Sequence, residues 1–238
     1  MTSQSGAPRI LDNIPFRPQQ ERILGALGIA EADAPMFLPD IEELLAQAEA
    51  VARPKGVYKL STVDHPGGEK AGRSVIIDKR EFTSRILAVN LKDVQRVFPY
   101  IASCGAELEA WSQTIEDPVK RFWADAIKEE ALRCALEAVA HDVIKAFRPG
   151  ERASMNPGSL EDWPLSEQPA LFALFGEAVG TIGVGLSESL LMIPVKSVSG
   201  LWFEADSGFQ SCQLCPRENC PKRRAPYDPH LFGARYAE

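Results

Sequence analysis

The fold is indicated most clearly by residues 181–206, which read TIGVGLSESLLMIPVKSVSGLWFEAD. Apolar and polar residues alternate in two runs on either side of Pro194, which is the pattern of a strand, a connection and a second strand. The glycines at 180, 183 and 185 are not a dinucleotide-binding fingerprint, because their order is wrong and a strand follows them. The stretch therefore predicts paired strands in the C-terminal third of the chain.

Helical patterns lie upstream of these strands. Residues 117–147, DPVKRFWADAIKEEALRCALEAVAHDVIKAF, predict one long helix with Asp117 as its N-cap and Pro118 at its first position. Residues 37–56, FLPDIEELLAQAEAVARPKG, predict a second helix that begins at Asp40. A short amphipathic helix is expected in EQPALFALF, residues 167–175.

Further strands are expected in the first half of the chain. Residues 56–65 and 73–82 alternate and carry β-branched side chains, so each predicts one strand. A third strand is expected through Tyr100–Ser103, before a turn at Gly105. Residues 151–168, ERASMNPGSLEDWPLSEQ, have turn chemistry and predict a loop.

Composition and element order together predict the architecture. The 238 residues are 45% hydrophobic, which is an ordinary globular composition. The mixture of helices and alternating strands predicts an α+β fold, an antiparallel sheet packed with helices. We expect one domain at residues 1–210 and a separate cysteine-rich, metal-binding tail at residues 211–238.

Charge and patterning exclude several classes of partner and compartment. The net charge of −7 argues against a nucleic-acid partner, because phosphate binding usually needs a basic face. No apolar segment is long enough to span a bilayer, and the N-terminal residues do not resemble a secretory signal. The chain is therefore expected in the cytoplasm, where thiols stay reduced. Five cysteines in that compartment favour metal binding over a disulfide framework.

Three of those cysteines stand close together in the tail. Cys212, Cys215 and Cys220 have the spacing C-x2-C-x4-C, within SCQLCPRENCPKRRAPYD at residues 211–228. Three thiolates at this spacing predict a shared metal centre, either zinc or an iron–sulfur cluster. The basic residues that follow can offset a cluster's charge, contact an acidic partner or remain solvated; they are Arg217, Lys222, Arg223 and Arg224.

Several motifs in order carry a family resemblance over roughly residues 100–210. LSESLLMIPVKSVSGLWF, residues 186–203, closely resembles the strand region of the reactivation domain of cobalamin-dependent methionine synthase. RASMNPGSLEDWPLSEQPALFALF, residues 152–175, is similar to that family's arginine-led Pro-Gly loop. SCGAELE, residues 103–109, is similar to the segment before the long helix in stand-alone versions. The resemblance implies the same α+β fold.

The resemblance also implies a function and a ligand site. The family's domain binds S-adenosylmethionine and presents its methyl group to a corrinoid whose cobalt has drifted to the Co(II) state. Six positions carry over as ligand contacts: Glu137, Arg152, Pro157, Gly158, Phe209 and Gln210. An arginine suits the ligand's carboxylate and a glutamate suits its cationic groups.

The implied role is reductive activation of a separate protein. No corrinoid-binding D-x-H-x-x-G motif is present in the chain. The cobalamin must then lie on a partner, either a corrinoid protein or a cobalamin-dependent methyltransferase. The chain would be a methyltransferase component that acts only in that complex, with a flavodoxin or ferredoxin as a candidate electron donor.

The sequence departs from the family's motif in two places. Ser159 follows Pro-Gly where the family usually has tyrosine, and Arg152 stands two residues further from Pro157-Gly158. Two other hypotheses therefore stay open. One is a non-enzymatic module that docks on a corrinoid protein; the other is an iron–sulfur or zinc sensor that has lost S-adenosylmethionine.

The metal's identity depends on the chemistry it serves. A four-iron cluster is favoured over zinc, because the implied reaction needs a one-electron donor. Cys104 is the leading candidate for a fourth ligand, and His230 is a second one for zinc. The spacing is not the C-x3-C-x2-C of radical S-adenosylmethionine enzymes, so radical chemistry is not expected. Because Gln210 and Cys212 are nearly adjacent, the centre should lie beside the ligand groove.

Overall fold

A computed structural model describes residues 5–205, 208–220 and 223–237. Eight strands form one sheet in which every pairing is antiparallel. They are β1 Arg9–Leu11, β2 Lys55–Tyr58, β3 Ser61–Asp64, β4 Ser74–Ile77, β5 Arg80–Thr83, β6 Arg96–Ser103, β7 Arg152–Met155 and β10 Ser197–Glu204. Two short strands, β8 Gly185–Leu186 and β9 Met192–Ile193, form a separate hairpin.

The described part of the chain contains seven α-helices. They are α1 Gln20–Ala26, α2 Ala34–Val51, α3 Arg85–Asn90, α4 Ala106–Gln113, α5 Pro118–Phe147, α6 Gln168–Phe172 and α7 Ala178–Thr181. Of these, α3, α5 and α6 contact strands of the sheet, and α1, α2 and α4 pack against α5. None of the helices in the described residues is both long and apolar enough to cross a membrane.

Strand β6 is the centre of the sheet. It pairs with β10 along one side and with β2 and β3, one after the other, along the other side. Its side chains alternate between two cores. Phe98 and Tyr100 face helix α5, whereas Val97 and Ile101 face the core beneath α3, α6 and α7.

The strand prediction at Tyr100–Ser103 was too short at its N-terminal side. Pro99 precedes the predicted strand, and proline cannot donate to a ladder. In the structure β2 ends its pairing at Tyr100 and β3 begins at Val97, so Pro99 lies where the partner strand changes. The missing N–H therefore interrupts no ladder on that side, and the strand continues to Arg96.

The two predicted strands at residues 56–65 and 73–82 are each a pair of strands. Asp78 and Lys79, between β4 and β5, both have positive φ, 47° and 68°. That is the backbone of a two-residue hairpin turn, which asparagine and glycine normally signal. The Asp78 carboxylate accepts hydrogen bonds from Ser61 Oγ at 2.7 Å and Thr62 N at 3.0 Å, and pairs with Lys59 at 2.7 Å.

The three predicted helices are present in the structure, and one of them starts earlier than expected. Asp117 caps α5 by accepting hydrogen bonds from Val119 N and Lys120 N, at 2.7 and 3.1 Å. Helix α2, however, begins at Ala34 and not at Asp40, so Pro39 lies inside it. Pro39 removes one hydrogen bond near the N-terminus, and burial of four side chains compensates for it; these are Ile41, Leu44, Leu45 and Ala48.

The tail after residue 210 packs into the main core. Tyr236 is fully buried among the residues beneath α3, and its hydroxyl donates to Asn90 Oδ1 at 3.1 Å. Leu214, Cys215 and Leu231 pack against the same core. The described tail residues thus share the core of the residues before them. The domain boundary between 210 and 211 stays a prediction.

Candidate functional site

The candidate site lies where β6, β10 and β7 face helix α5. Tyr100 on β6 and Trp202 on β10 stack there, with ring centroids 3.8 Å apart and planes inclined by 14°. Helix α5 packs over β2 and β6, so its side chains cover the Tyr100 end of this stack. Strand β7 forms the edge of the sheet beyond β10. Both rings are buried, Tyr100 at 3% and Trp202 at 9% exposure, and we call this stacked pair the floor of the candidate site.

Arg152 lies at the edge of this floor. The sequence predicted a loop here, but Arg152 begins strand β7, which makes its position more rigid than a loop position. Its guanidinium carbon is 6.0 Å from the centre of the Trp202 ring, within cation–π range. The residue directly opposite, Glu204, instead pairs with Arg96 at 2.5 Å.

One guanidinium nitrogen of Arg152 has nothing to bind. Arg152 Nη1 is buried and makes no hydrogen bond within the described structure. Burial lowers the pKa of the Arg152 guanidinium from its usual value. A buried donor without a partner is costly to the fold and is rare in native structures. An anionic ligand at this position would satisfy it.

The Pro-Gly loop follows Arg152 and supports the floor. Asn156 Nδ2 donates to Tyr100 Oη at 2.9 Å and to Ser199 O at 2.7 Å. These two hydrogen bonds fix the position of the Tyr100 ring. Pro157 is buried, and Gly158 is exposed with φ 79°, a conformation that suits glycine. The Gly158 N–H already donates to Trp163 O at 2.8 Å. Gly158 therefore shapes the loop without presenting a free N–H to a ligand.

A groove of about 660 Å³ runs between α5 and the start of β10. Its apolar lining includes Leu132, Leu136 and Val198, two of which also pack beside the Tyr100–Trp202 stack. Its charged lining includes Glu129, Glu130, Arg133 and Lys196. From Val198 to Trp202, strand β10 extends about 13 Å. The groove and the arginine edge thus lie along one strand on one face of the sheet.

Glu137 lies on α5 close to this groove, but it is not free. Its side chain is 61% exposed and is paired with Arg133, which lines the groove. Arg133 also binds the buried Glu130 carboxylate, at 2.6 and 2.8 Å. Because both glutamates accept hydrogen bonds from it, the pKa of Arg133 is raised above its usual value. A cationic ligand would have to compete with Arg133 for Glu137.

The structure does not bring Phe209 to the groove. Phe209 is buried in the core on the opposite face of the sheet, where it meets Tyr236 edge-on at 6.4 Å. Gln210 begins the cysteine segment, and its N–H donates to Gln213 Oε1 at 2.8 Å. The resemblance assigned both residues to the ligand, whereas here one anchors the tail and the other caps a short 3-10 turn.

The tail returns to strand β7 at Ser154, two residues after Arg152. Ser211 Oγ donates to Ser154 O at 2.9 Å. From further along the tail, both terminal nitrogens of Arg224 reach Ser154 Oγ at 3.4 Å. The segment that carries the cysteines therefore lies beside the arginine edge of the floor.

Arg223 occupies the inside of the cysteine segment. It donates to the carbonyl oxygens of Cys212 at 3.0 Å, Cys215 at 3.2 Å and Ala225 at 3.3 Å, and also to that of Arg217. One guanidinium thus binds four backbone carbonyl oxygens of this segment. Lys222, the remaining basic residue predicted to matter here, is outside the described residues.

The surroundings of Cys212 favour its charged form. Its partial burial alone would raise the thiol pKa, but hydrogen bonds from the backbone N–H groups of Arg224 and Ala225, together with the Arg224 charge, outweigh burial and lower that pKa. Arg224 N lies 3.4 Å from Cys212 Sγ. These contacts favour the thiolate, which is the form that binds metals.

The described residues do not form a metal-ligand set. No three His, Cys, Asp or Glu side chains converge anywhere in the ranges that the structure covers. Cys104, the predicted fourth ligand, is fully buried in the core between α2, α4 and α5. Burial raises its thiol pKa to about 12, with Glu109 adding to the effect. His230 is exposed.

Four residues that build the site were not assigned to it from the sequence: Tyr100, Asn156, Trp202 and Arg224. Tyr100 and Trp202 are about one hundred residues apart, and only the register of β6 with β10 brings them together. The aromatic residue in SGLWF was a visible signal, because the motif surrounds it. Nothing in the sequence indicated that Arg224 returns to β7.

Comparison with known proteins identifies the fold. No protein-family model and no curated protein matches the chain. Thirteen chains of solved structures match it. One is described as the crystal structure of the MetH reactivation domain bound to AdoHcy, with 17% sequence identity and a TM-score of 0.60. The match covers 85% of this chain and 80% of that one, which confirms the predicted α+β fold and the structural resemblance to that reactivation domain.

Proposed function

We propose that this chain binds S-adenosylmethionine on the Tyr100–Trp202 floor and serves as a reactivation component for a corrinoid protein. The observation that carries the proposal is Arg152, which holds a buried, unpartnered guanidinium nitrogen at the edge of that floor. The solved structure with the same fold is bound to AdoHcy, the demethylated form of the same ligand. An amino-acid carboxylate is the group that Arg152 lacks.

Each part of the ligand has matching chemistry along β10. The carboxylate would pair with Arg152. The apolar groove beside Val198 and Leu136 offers a surface for flat, uncharged groups. Glu129 and Glu130 line the same groove and are paired with Lys196 and Arg133, so the ligand's sulfonium would have to compete with those cations for their charge.

The partner would approach the open side of the groove. The hairpin β8–β9 and the residue after it expose large apolar side chains, Leu191, Ile193 and Val195, and Val195 lines the groove. A corrinoid protein that covered this apolar surface would bring its cobalt to the methyl donor. In that complex S-adenosylmethionine supplies the methyl group, and a flavodoxin- or ferredoxin-like donor supplies one electron. The chain's own part is to hold and orient the methyl donor.

The tail cysteines are proposed to bind a metal as a separate element of this function. Their spacing, the lowered pKa of Cys212 and the position beside β7 support a centre close to the groove. The described thiols do not converge, so the segment would have to close around the metal and displace Arg223 from its interior. An iron–sulfur cluster that relays an electron is the favoured occupant, and zinc is the alternative.

Calorimetric titration with S-adenosylmethionine tests the proposal. Wild-type protein should bind the ligand, and Arg152→Ala should bind it about 2 kcal/mol more weakly, the scale of a charge-assisted hydrogen bond. Arg80→Ala is the matched control, since Arg80 is an exposed strand arginine on β5, the last strand beyond β4. Wild-type protein that binds neither S-adenosylmethionine nor S-adenosylhomocysteine would support the non-enzymatic docking module instead.

A further inference from the structure

A second arginine reaches the floor from the cysteine tail. Arg224 lies 70 residues after Ser154, yet both of its terminal nitrogens are 3.4 Å from Ser154 Oγ. Ser154 stands directly opposite Trp202 in the ladder between β7 and β10. Arg224 also lowers the pKa of the Tyr100 hydroxyl, against the larger effect of burial, so its charge is felt at the other ring of the stack.

Arg152 and Arg224 border the same aromatic pair from the same face of β7. Residues 152 and 154 are two positions apart on one strand, so their side chains share a face. Two strand positions span about 7 Å. Arg152 leans over the Trp202 ring, and Arg224 contacts Ser154 opposite that ring. The two guanidinium groups are therefore neighbours at one edge of the floor.

Neither arginine forms an ion pair within the described chain. The nearest carboxylate across the ladder is that of Glu204, and Arg96 already binds it at 2.5 Å. Arg152 Nη1 has no hydrogen-bond partner, and the Arg224 side chain contacts no carboxylate of the described residues, only the Ser154 hydroxyl at 3.4 Å and the Cys212 thiol. An anion at this edge would pair with the unpaired Arg152 donor and would be attracted by both positive charges.

We infer that Arg224 completes the carboxylate-binding site of the floor, so that the ligand's carboxylate is held by one arginine from β7 and one from the cysteine tail. The inference rests on the proposed function for the identity of the ligand. The tail thereby contributes to ligand affinity directly, beyond any metal it binds. Arg224 contacts Ser154 through its side chain and Cys212 Sγ through its backbone N–H. Movement of the tail would then change ligand affinity through Arg224.

Two ligands that differ in the carboxylate test the inference. S-adenosylhomocysteine has the amino-acid group, and 5′-methylthioadenosine lacks it. Titration calorimetry on the full chain should show that Arg224→Gln binds S-adenosylhomocysteine at least 10-fold more weakly than wild type, the scale of a hydrogen bond to a charged group. Its affinity for 5′-methylthioadenosine should stay within 2-fold of wild type, on the order of measurement scatter. Arg217→Gln is the control, because Arg217 is exposed in the same tail and contributes only its carbonyl oxygen.

The outcomes separate the two proposals. If Arg224→Gln binds S-adenosylhomocysteine as wild type does, the second arginine is not part of the site, although the ligand proposal stands. Equal losses for both ligands would also overturn the inference, because Arg224 would then act on the shape of the floor and not on the carboxylate. If wild-type protein binds neither ligand, the proposed function itself fails. A circular dichroism melt of each variant shows that the loss does not come from unfolding.

Discussion

At the scale of single residues, the site is recognisable by what it leaves unsatisfied. Most buried polar groups in the described chain have partners, but Arg152 Nη1 does not, and it lies next to a stacked aromatic pair. A buried donor without a hydrogen-bond partner lowers the stability of the fold. Buried donors of this kind persist where function requires them, and the fold stabilises them through other contacts.

A substitution that removes the unpaired donor should therefore stabilise the chain. Arg152→Met keeps a long apolar stem over Trp202 and takes away the buried charge. We expect a melting temperature equal to or above that of wild type, measured by calorimetry, together with loss of ligand binding. Arg96→Met is the control, since it leaves Glu204 without its partner and should not raise the melting temperature. A clear fall for Arg152→Met would mean that the guanidinium has a structural role.

Site residues could be predicted from the sequence where a local motif contained them. Arg152, Pro157 and Gly158 were identified by their order in the sequence; the structure places Arg152 at the Trp202 edge of the floor and the Pro-Gly loop directly after Asn156, which contacts Tyr100. Phe209 was assigned to the ligand on position alone, but in the structure its side chain lies in the core on the opposite face of the sheet. A one-residue change in phase exchanges the two faces of a sheet, and sequence spacing does not fix that phase.

At the scale of elements, close packing of β10 against the Pro-Gly loop sets the shape of the floor. A Cβ at Gly200 would lie 2.3 Å from Asn156 Nδ2 and 2.6 Å from Met155 O. Asn156 in turn holds both Tyr100 and Ser199. Glycine at this position therefore lets the loop approach the strand and hold the aromatic stack.

Gly200→Ala should destabilise the packing of β10 against the Pro-Gly loop, although it adds only one methyl group. We expect a loss of about 1–3 kcal/mol in the free energy of unfolding, the usual cost of overpacking, measured by urea denaturation. Gly185→Ala in β8 is the matched control, since nothing lies within 4 Å of its added Cβ. Similar stability of the two variants would contradict the packing seen between Gly200 and Asn156.

The β4–β5 hairpin turn provides a pH-dependent prediction. Burial acts to raise the pKa of Asp78, but hydrogen bonds from Lys59, Ser5, Ser61 and Thr62 outweigh it and lower that pKa. A folded-state pKa below the unfolded value of about 3.9 contributes stability above that pH, and this contribution disappears as the pH falls through the folded pKa.

Asp78→Asn tests that contribution, because asparagine also tolerates the positive φ of this position. The variant should be less stable than wild type at pH 7, and the difference should shrink as the pH falls below about 4. Urea denaturation across this range measures the effect. A difference that stays constant with pH would show that the Asp78 charge does not stabilise the turn.

Element prediction succeeded where caps and periodicity agreed and failed where tertiary context decided. Asp117 and Pro118 located α5 correctly, whereas the Asp78–Lys79 turn lacked the glycine that usually marks a hairpin. Arg152 was predicted in a loop because the turn-forming run Asn156-Pro157-Gly158 follows it. Pairing with β10 extends the strand up to that turn.

At the scale of the whole molecule, the C-terminal tail belongs to the core. Tyr236 fills it, and Arg85 donates to its carbonyl oxygen. The sequence suggested a separate segment, because a change in cysteine and charge content was the only visible signal. The long-range contacts of Tyr236 and Arg224 could not be predicted, since each joins residues 70 or more positions apart.

Substitution of Tyr236 should therefore lower the free energy of unfolding more than substitution of a tail cysteine. Tyr236→Ala should lose about 3–5 kcal/mol of unfolding free energy, the usual cost of removing a buried aromatic side chain. Cys220→Ser, which alters a partly buried side chain in the same tail, should cost less than about 0.5 kcal/mol in metal-free protein. Guanidinium denaturation with chelator present compares the two, and a larger loss for Cys220→Ser would mean that the cysteine segment, not Tyr236, anchors the tail.

The most direct test of the central claim is a crystal structure of the full chain grown with S-adenosylhomocysteine. The account predicts the ligand on the Tyr100–Trp202 floor, with a carboxylate oxygen about 2.7–3.2 Å from Arg152 Nη1, the ordinary hydrogen-bond range. Ligand bound elsewhere on the chain, or on the floor with Arg152 Nη1 still unpaired, would contradict it.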